Sequence, residues 1–329
     1  MSEPRDLQSY LRRRVSPAER YDDLLRFPRF FEIETVNACN ARCPMCTIDE
    51  WTRHTPTMRP DLFEKIAGEI CERASEVRRV SLYRDGEPLL DKRLPDRIAR
   101  LKDGGVKEVA ISTNVGLLDE RRSREILEAG LDRIILSIDS LDKQVFEAIR
   151  VRLVFEEVLA NAKRFIALRD KIRPETVVWV RMIRQESNYA EWPTFEAYWR
   201  RLLQPHDRVN FHNLHNWGGQ LDTFKPIAPS FEPSLPCVAL WSLMVIFADG
   251  KVPLCNVDYN NIFPTGDVSA DTIADVWRNG VMAERRRKHL DGRKGEISLC
   301  ENCNVWDEAP DLHHVASEFA EAVEVEPAG

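Results

Sequence analysis

Residues 31–47 read FEIETVNACNARCPMCT, and this stretch decides the fold. Its first six residues form a buried strand by composition, and 37–47 is the loop that leaves it, carrying Cys39, Cys43 and Cys46 in a C-x3-C-x2-C spacing. A loop this tight lets three thiolates converge on three irons of a cubane and leaves a fourth iron open. A structural zinc site wants four protein ligands, and no nearby Cys or His completes such a set.

Moving outward, the chain alternates strands and helices. Leu62, Ile66 and Ile70 recur at helical spacing behind Asp61 and Glu64, a capping-box pair, and predict a helix to about residue 75. Strands are predicted over 79–83, 108–112, 133–138, 177–183 and 209–213. Helices are predicted near 96–101, from Asp119 to a stop at Gly130, over 155–168 and over 192–203. Strict alternation with short links forces parallel pairing through right-handed crossovers. About six such units fit before Asn216, so the expected fold is α/β, a partial (βα)6 barrel of the TIM type, with functional groups at the C-terminal ends of the strands.

The pattern changes at 220–236, where four prolines stand without periodicity. Beyond it, 243–247 and 252–254 flank Asp249-Gly250, a short hairpin signal, and helical spacing returns over 272–277 and 281–290. The expected division is a leader at 1–30, the barrel at 31–215, a linker at 216–236, a second unit at 237–310 and an acidic, frayed tail at 311–329.

Bulk properties limit the partners. The 329 residues carry a net charge of -7, which argues against a nucleic-acid partner. The basic runs 12–14 and 285–288 read as solvated helix faces. The first ten residues are polar and no later segment is a membrane-spanning apolar run, so a reducing cytoplasm is expected, where eight cysteines serve as ligands or thiols rather than disulfides.

The cysteine loop resembles that of the radical S-adenosylmethionine (SAM) superfamily, and the resemblance spans roughly 31–213. It implies that Cys39, Cys43 and Cys46 hold a 4Fe-4S cluster whose open iron chelates SAM. Gly86-Glu87-Pro88 looks like the family's glycine-glutamate motif at the SAM ammonium, with Asp85 in place of the more usual glycine. The family places ribose and carboxylate contacts where Ser112, Thr113 and Asn114 end the third strand and Ser137 and Asp139 end the fourth, and an apolar residue beside the adenine where Met45 lies. Alternation puts Val177, Trp179, Arg181 and Ile183 on one face of the fifth strand; Arg181 either meets SAM or substrate inside the barrel or is paired outside it.

Cys237, Cys255, Cys300 and Cys303 are four thiolates, enough to saturate a structural zinc or a second 4Fe-4S cluster. In this context 237–306 resembles the shortened SPASM, or twitch, appendage with one auxiliary cluster. Cys71 is left over, near the apolar stripe of an outer helix.

The resemblance implies reductive cleavage of SAM to a 5'-deoxyadenosyl radical that abstracts hydrogen from substrate, fed by a flavodoxin- or ferredoxin-type reductant. Twitch enzymes of this build resemble dehydrogenases and epimerases that tailor aminocyclitols and aminoglycosides, spectinomycin-type pathways among them. An acidic pocket is expected for such an aminated sugar. Asp85, Glu186 and 212–217 are the expected substrate contacts. Epimerases need a thiol to return hydrogen, and only Cys71 is spare, so alcohol oxidation is the first reading and epimerisation the second. Maturation of ribosomal peptides is the third, with some thirty residues before the barrel expected to be too few for a leader-binding unit.

Overall fold

Seven strands, all parallel, make the main sheet, in the order β6-β5-β4-β3-β2-β1-β7. The computed structural model describes residues 6–221, 235–301 and 303. In chain order the elements are α1 (Leu7–Val15), α2 (Tyr21–Leu24), β1 (Phe30–Ile33), α3 (Pro60–Glu72), β2 (Arg79–Ser81), α4 (Leu94–Asp103), β3 (Val109–Thr113), α5 (Glu120–Glu128) and β4 (Arg133–Ser137). They continue with α6 (Lys143–Ile149), α7 (Phe155–Ile172), β5 (Val177–Arg184), α8 (Trp192–Arg200), β6 (Arg208–Asn213), α9 (Ala239–Ser242), β7 (Leu243–Ile246), β8 (Lys251–Val252), β9 (Gly266–Asp267), α10 (Ile273–Arg278), α11 (Gly280–Leu290) and α12 (Ser298–Glu301).

The six alternating units form the partial barrel that the pattern implies. One face of each strand packs outward on the helices: Phe31, Ile33, Val80, Ile111, Leu136 and Val180 share a core with Ile66, Ile98, Ile126 and Phe165. The opposite face turns inward, where Phe30, Leu243, Val245 and Phe247 form a separate apolar group. Glu32, Ser81, Trp179, Arg181 and Asn210 alternate onto this inner face, because side chains in a strand have a period of two.

Several expectations need correction. The run 243–247 is not simply one arm of a hairpin. The Asp249-Gly250 turn forms, with Phe247 and Lys251 bonded across it and Gly250 at φ +92°. Even so, β7 pairs in parallel with β1, adding a seventh strand to the barrel sheet, and the antiparallel pair is β8 with β9. All four β7 residues are buried, as a strand covered on both faces requires. The capping box at Asp61 does not form: Pro60 opens α3 behind Arg59, and Glu64 instead pairs with Arg100 at 2.7 Å. Helix α6 was not anticipated.

The described part of the leader, residues 6–30, packs into the fold. Leu11, Val15, Leu24 and Phe27 are buried in the main core, Tyr21 accepts a hydrogen bond from Trp241 at 2.8 Å, and Trp277 donates to the Leu24 carbonyl at 3.0 Å. In the basic run 285–288, Arg286 is buried over Trp277 and donates to the Leu240 and Trp277 carbonyls, so it is a core residue. Most of the expected linker and all of the expected tail lie outside the described residues.

Candidate active site

The cysteine loop leaves the C-terminal end of β1 and folds back over the barrel. Within it the Cys46 amide donates to the Cys43 carbonyl at 2.9 Å, a turn that brings these two side chains to one side. Around the thiols stand polar donors: the Ala41 amide at 3.4 Å and the Asn114 side chain at 3.6 Å from Cys39 Sγ, and Arg150 at 3.8 Å from Cys43 Sγ. Burial pushes the Cys46 thiol up to about 12. A thiolate is stable in such a place only against a cation, which is what a metal cluster provides.

Gly86 exists because the loop passes too close for anything larger. A Cβ there would lie 2.3 Å from the Val36 carbonyl oxygen and 2.7 Å from that of Ala38. The Glu87 amide then donates to the Ala38 carbonyl at 2.8 Å, tying the end of β2 to the cysteine loop. The Glu87 carboxylate accepts from the Leu89 amide, the Thr113 hydroxyl and the Asn114 amide at 3.1, 2.8 and 2.8 Å. Burial raises it to about 6 against the pull of those bonds. Asn114 also reaches Asn40 at 2.8 Å, while Ser112 and Ser137 put their hydroxyls 3.3 Å apart on adjacent strands. Asp139 is fully enclosed: one oxygen accepts from the Ile183 amide at 2.7 Å and the other pairs with Arg150 at 2.6 Å. Burial works against the Arg150 charge, but Asp139 and Cys43 more than offset it and hold its pKa up. Met45 is buried, and its carbonyl accepts from the Trp217 indole at 3.1 Å.

Arg53, from the same loop, forms a hub. It grips Glu34 with both terminal nitrogens at 2.6 and 2.8 Å, reaches Asp85 at 3.1 Å, donates to the Tyr259 carbonyl at 2.6 Å and lies over the Phe247 ring at 3.7 Å. It therefore stitches β1, the end of β2 and the segment after Cys255. Asp85 receives Arg84 at 2.5 Å from the other side, and Arg84 stands 3.7 Å from Glu32. Burial drives Glu32 up to about 7, with Arg84 and Arg181 opposing that rise and Asp85 adding to it.

Several buried polar atoms at this inner wall have no hydrogen-bond partner among the described residues: Arg84 Nε and Nη2, Trp179 Nε1, the Asn210 amide and His212 Nε2. Orphaned atoms of this kind at one wall are what a polar ligand would satisfy. His212 and His215 are both pushed down by burial, His215 to about 4, so they stand neutral. The expected acidic pocket is not what the structure holds. Arg53, Arg84 and Arg181 face Glu32, Glu34 and Asp85, and Trp179 is surrounded by Arg133, Arg181 and Arg208.

Cys237, Cys255, Cys300 and Cys303 line one cavity together with Leu240, Leu254, Val257, His289, Lys294 and Leu299. Burial, helped by neighbouring Cys303, pushes Cys237 to about 12. His289 accepts from the Cys237 amide at 3.2 Å. Buried Lys294 adds positive charge beside Cys237 and Cys300.

The radical SAM superfamily model matches residues 33–181, and a model described as an iron-sulfur cluster-binding domain (SPASM) matches residues 237–304. The chain carries a radical SAM domain followed by a SPASM domain. As a radical SAM enzyme with a SPASM domain, it uses SAM, a SAM-binding 4Fe-4S cluster and an auxiliary 4Fe-4S cluster. The donor sets fit in kind: Cys39, Cys43 and Cys46 share one loop, Cys237, Cys255, Cys300 and Cys303 line one cavity, and burial raises the thiols of Cys39, Cys46, Cys237, Cys255 and Cys300, which a metal's charge would offset.

A GTP 3',8-cyclase of Limosilactobacillus fermentum is 26% identical to this radical SAM enzyme over 297 residues, covering 86% of this chain and 77% of the relative. The S-adenosyl-L-methionine-dependent 2-deoxy-scyllo-inosamine dehydrogenase of Niallia circulans is 26% identical over 276 residues, covering 83% and 91%. Among solved structures, BtrN in complex with AdoMet and 2-DOIA superposes with a TM-score of 0.59 at 21% identity, covering 84% and 93%. Streptococcus suis SuiB bound to precursor peptide SuiA superposes with a TM-score of 0.60 at 13% identity, covering 87% and 71%. At these identities the structural likenesses speak for the fold alone. No helix among the described residues is long and apolar enough to cross a membrane.

The structure brings Asp85 and Arg181 into the buried polar group and leaves Glu186 out of it. Glu186 sits exposed on the turn after β5 that Gln185 and Asn188 close, so its expected place beside the substrate is corrected. Glu32, Glu34, Arg53, Arg84, Arg150 and Lys294 were missed. For Glu32 and Glu34 a signal was present, since two acids at i and i+2 in a buried strand share one face. For Arg53 there was none.

Proposed function

We propose that this radical SAM enzyme oxidises a secondary alcohol of an aminocyclitol, aminoglycoside or related sugar to a ketone. In this reading Cys39, Cys43 and Cys46 hold the SAM-binding cluster and Cys237, Cys255, Cys300 and Cys303 the auxiliary one, within a core at 31–215 and a second unit at 237–310 that lends β7 to the core sheet. When bound, these cofactors supply a hydrogen-abstracting radical and an acceptor for the second electron.

The chain's own residues do the rest. Gly86 lets the cysteine loop close on the motif, and Glu87 fixes that turn, with three of its roughly four acceptor sites already taken by protein donors. Met45, Ser112, Asn114 and Ser137 frame the SAM, while Asp139 acts through Arg150 beside Cys43. Arg181 faces substrate from β5, and Asp85 orients Arg84. A flavodoxin- or ferredoxin-type protein is the proposed reductant.

The observation that favours oxidation over inversion is the place of Cys71. Its sulfur takes a hydrogen bond from Arg100 at 3.4 Å and packs against Gly104, on the outer helices and away from the inner wall. Of eight cysteines, seven are assigned to clusters, so no thiol remains at the barrel interior to return a hydrogen atom. The test is turnover in deuterated solvent with 2-deoxy-scyllo-inosamine. A ketone without solvent deuterium at the reacting carbon supports oxidation. An inverted alcohol carrying one solvent deuterium, lost in Cys71→Ala, would establish an epimerase.

A further inference from the structure

Glu32 is a carboxylate on the inner face of a barrel strand, where an apolar residue would be the ordinary choice. Its place is specific. It sits in register with Ser81 on β2 and Val245 on β7, 3.7 Å from Arg84, at the level where Arg181 enters from β5. Asp85, which holds Arg84, is itself bonded to Arg53 at 3.1 Å, and Arg53 reaches the Tyr259 carbonyl just past Cys255, so the Glu32–Arg84–Asp85 group is tied to both cysteine-bearing segments. The Arg84 side chain is only 6% exposed; its Nε faces the Glu32 carboxylate at 3.7 Å, and its Nη2 donates to nothing among the described residues. An unspent donor on a buried cation beside a carboxylate makes a place for a hydroxyl: the guanidinium receives the oxygen and the carboxylate receives the proton.

We infer that Glu32 is the catalytic base that takes the proton of the substrate hydroxyl, with Arg84 holding the oxygen from which that proton leaves. The inference rests on the alcohol-oxidation reading and deepens it. Three losses then add up to the ketone: the carbon's hydrogen atom goes to the radical chemistry that SAM supplies, the hydroxyl proton to Glu32, and one electron to the auxiliary acceptor. The C–H and O–H bonds break, and the second C–O bond forms. Deprotonation matters because an alkoxide radical centre gives up its electron far more readily than the neutral alcohol radical, and Arg84 stabilises the negative oxygen as it develops. The groups facing Glu32 include Tyr83, Arg84 and Asp85 after β2 and Arg181 from β5. Burial brings its proton affinity close to neutrality, where a base works best.

The experiment uses the full chain with both clusters reconstituted, SAM, and 2-deoxy-scyllo-inosamine as the probe. Glu32→Gln should keep iron content and bind the probe, by calorimetry, within about threefold of wild type. Its ketone formation should fall by about 100-fold or more while deoxyadenosine is still released. Arg84→Met should weaken probe binding about tenfold or more. Wild-type ketone formation in a single turnover should rise with pH through about 7, and the variant's should not. Ketone from Glu32→Gln at more than about a tenth of the wild-type rate, with an unchanged pH profile, would overturn the assignment while leaving alcohol oxidation standing. No ketone from wild type would overturn the alcohol reading and this one with it. Should Glu32→Gln fail to hold its iron, Glu32→Asp decides. A slower ketone formation still rising through neutral pH supports the base, and a pH-independent one refutes it.

Discussion

Replacing Arg53 tests whether one side chain couples the cysteine loop to the rest of the molecule. Arg53→Met keeps most of the apolar stem but removes the fork that holds Glu34 at 2.6 and 2.8 Å and Asp85 at 3.1 Å. Both carboxylates are fully buried and the Arg53 side chain is 10% exposed, so solvent screens little of the loss. Breaking a buried pair by removing one partner costs about 3–5 kcal/mol, because the other charge stays buried. Asp85 keeps Arg84; Glu34 keeps only the Ala248 amide at 3.0 Å among its described hydrogen bonds, so Glu34 carries most of the penalty. The contact with the Phe247 ring adds about 1 kcal/mol. Anaerobic urea unfolding of the holoenzyme should show this loss, and Glu34→Gln in the same chain should restore part of it, since the stranded charge is then gone. Arg53→Met unfolding within about 0.5 kcal/mol of wild type would refute the hub.

Other outcomes rest on the same geometry. Gly86→Ala forces a Cβ to within 2.3 Å of the Val36 carbonyl oxygen, so the loop must move; iron bound per chain and thermal stability should both drop, and a normally loaded variant would contradict the fit. Glu32 has a folded pKa of about 7 against an ordinary value of 4.5, so its contribution is full below the lower value and lost as pH rises through the higher. Between those limits wild type should lose up to about 3 kcal/mol relative to Glu32→Gln, readable as the pH dependence of urea unfolding. Reconstituted enzyme should hold about eight irons, and the Cys39, Cys43 and Cys46 triple alanine variant about four, with SAM cleavage abolished. Zinc in place of the remaining iron would overturn the auxiliary assignment.

The barrel was legible because apolar runs separated by helical spacing are a local signal, and strand positions landed within a few residues. Cys39, Cys43 and Cys46 stood out because their spacing is local, whereas in the second set only Cys300 and Cys303 are close in sequence and Cys237 and Cys255 join them in one cavity through the fold. The parallel seat of β7 was not. A buried four-residue run next to Asp249-Gly250 reads equally as a hairpin arm, and its partner β1 lies more than two hundred residues away in the chain. The same distance hid Arg53, whose reach to Tyr259 depends on how the second unit folds back. Glu186 looked as well placed as Arg181 at the end of β5, until the turn closed by Asn188 put it in solvent. The arginine-rich inner wall was hidden behind an acidic net charge, which averages over a surface and says nothing of one pocket.

The fate of a single hydrogen tests the central claim most directly. With 2-deoxy-scyllo-inosamine deuterated at the carbon that is oxidised, the account predicts that the deuterium moves into 5'-deoxyadenosine and that the product is a ketone or its hydrate. Deoxyadenosine free of deuterium, alongside an unchanged or inverted alcohol, would contradict it.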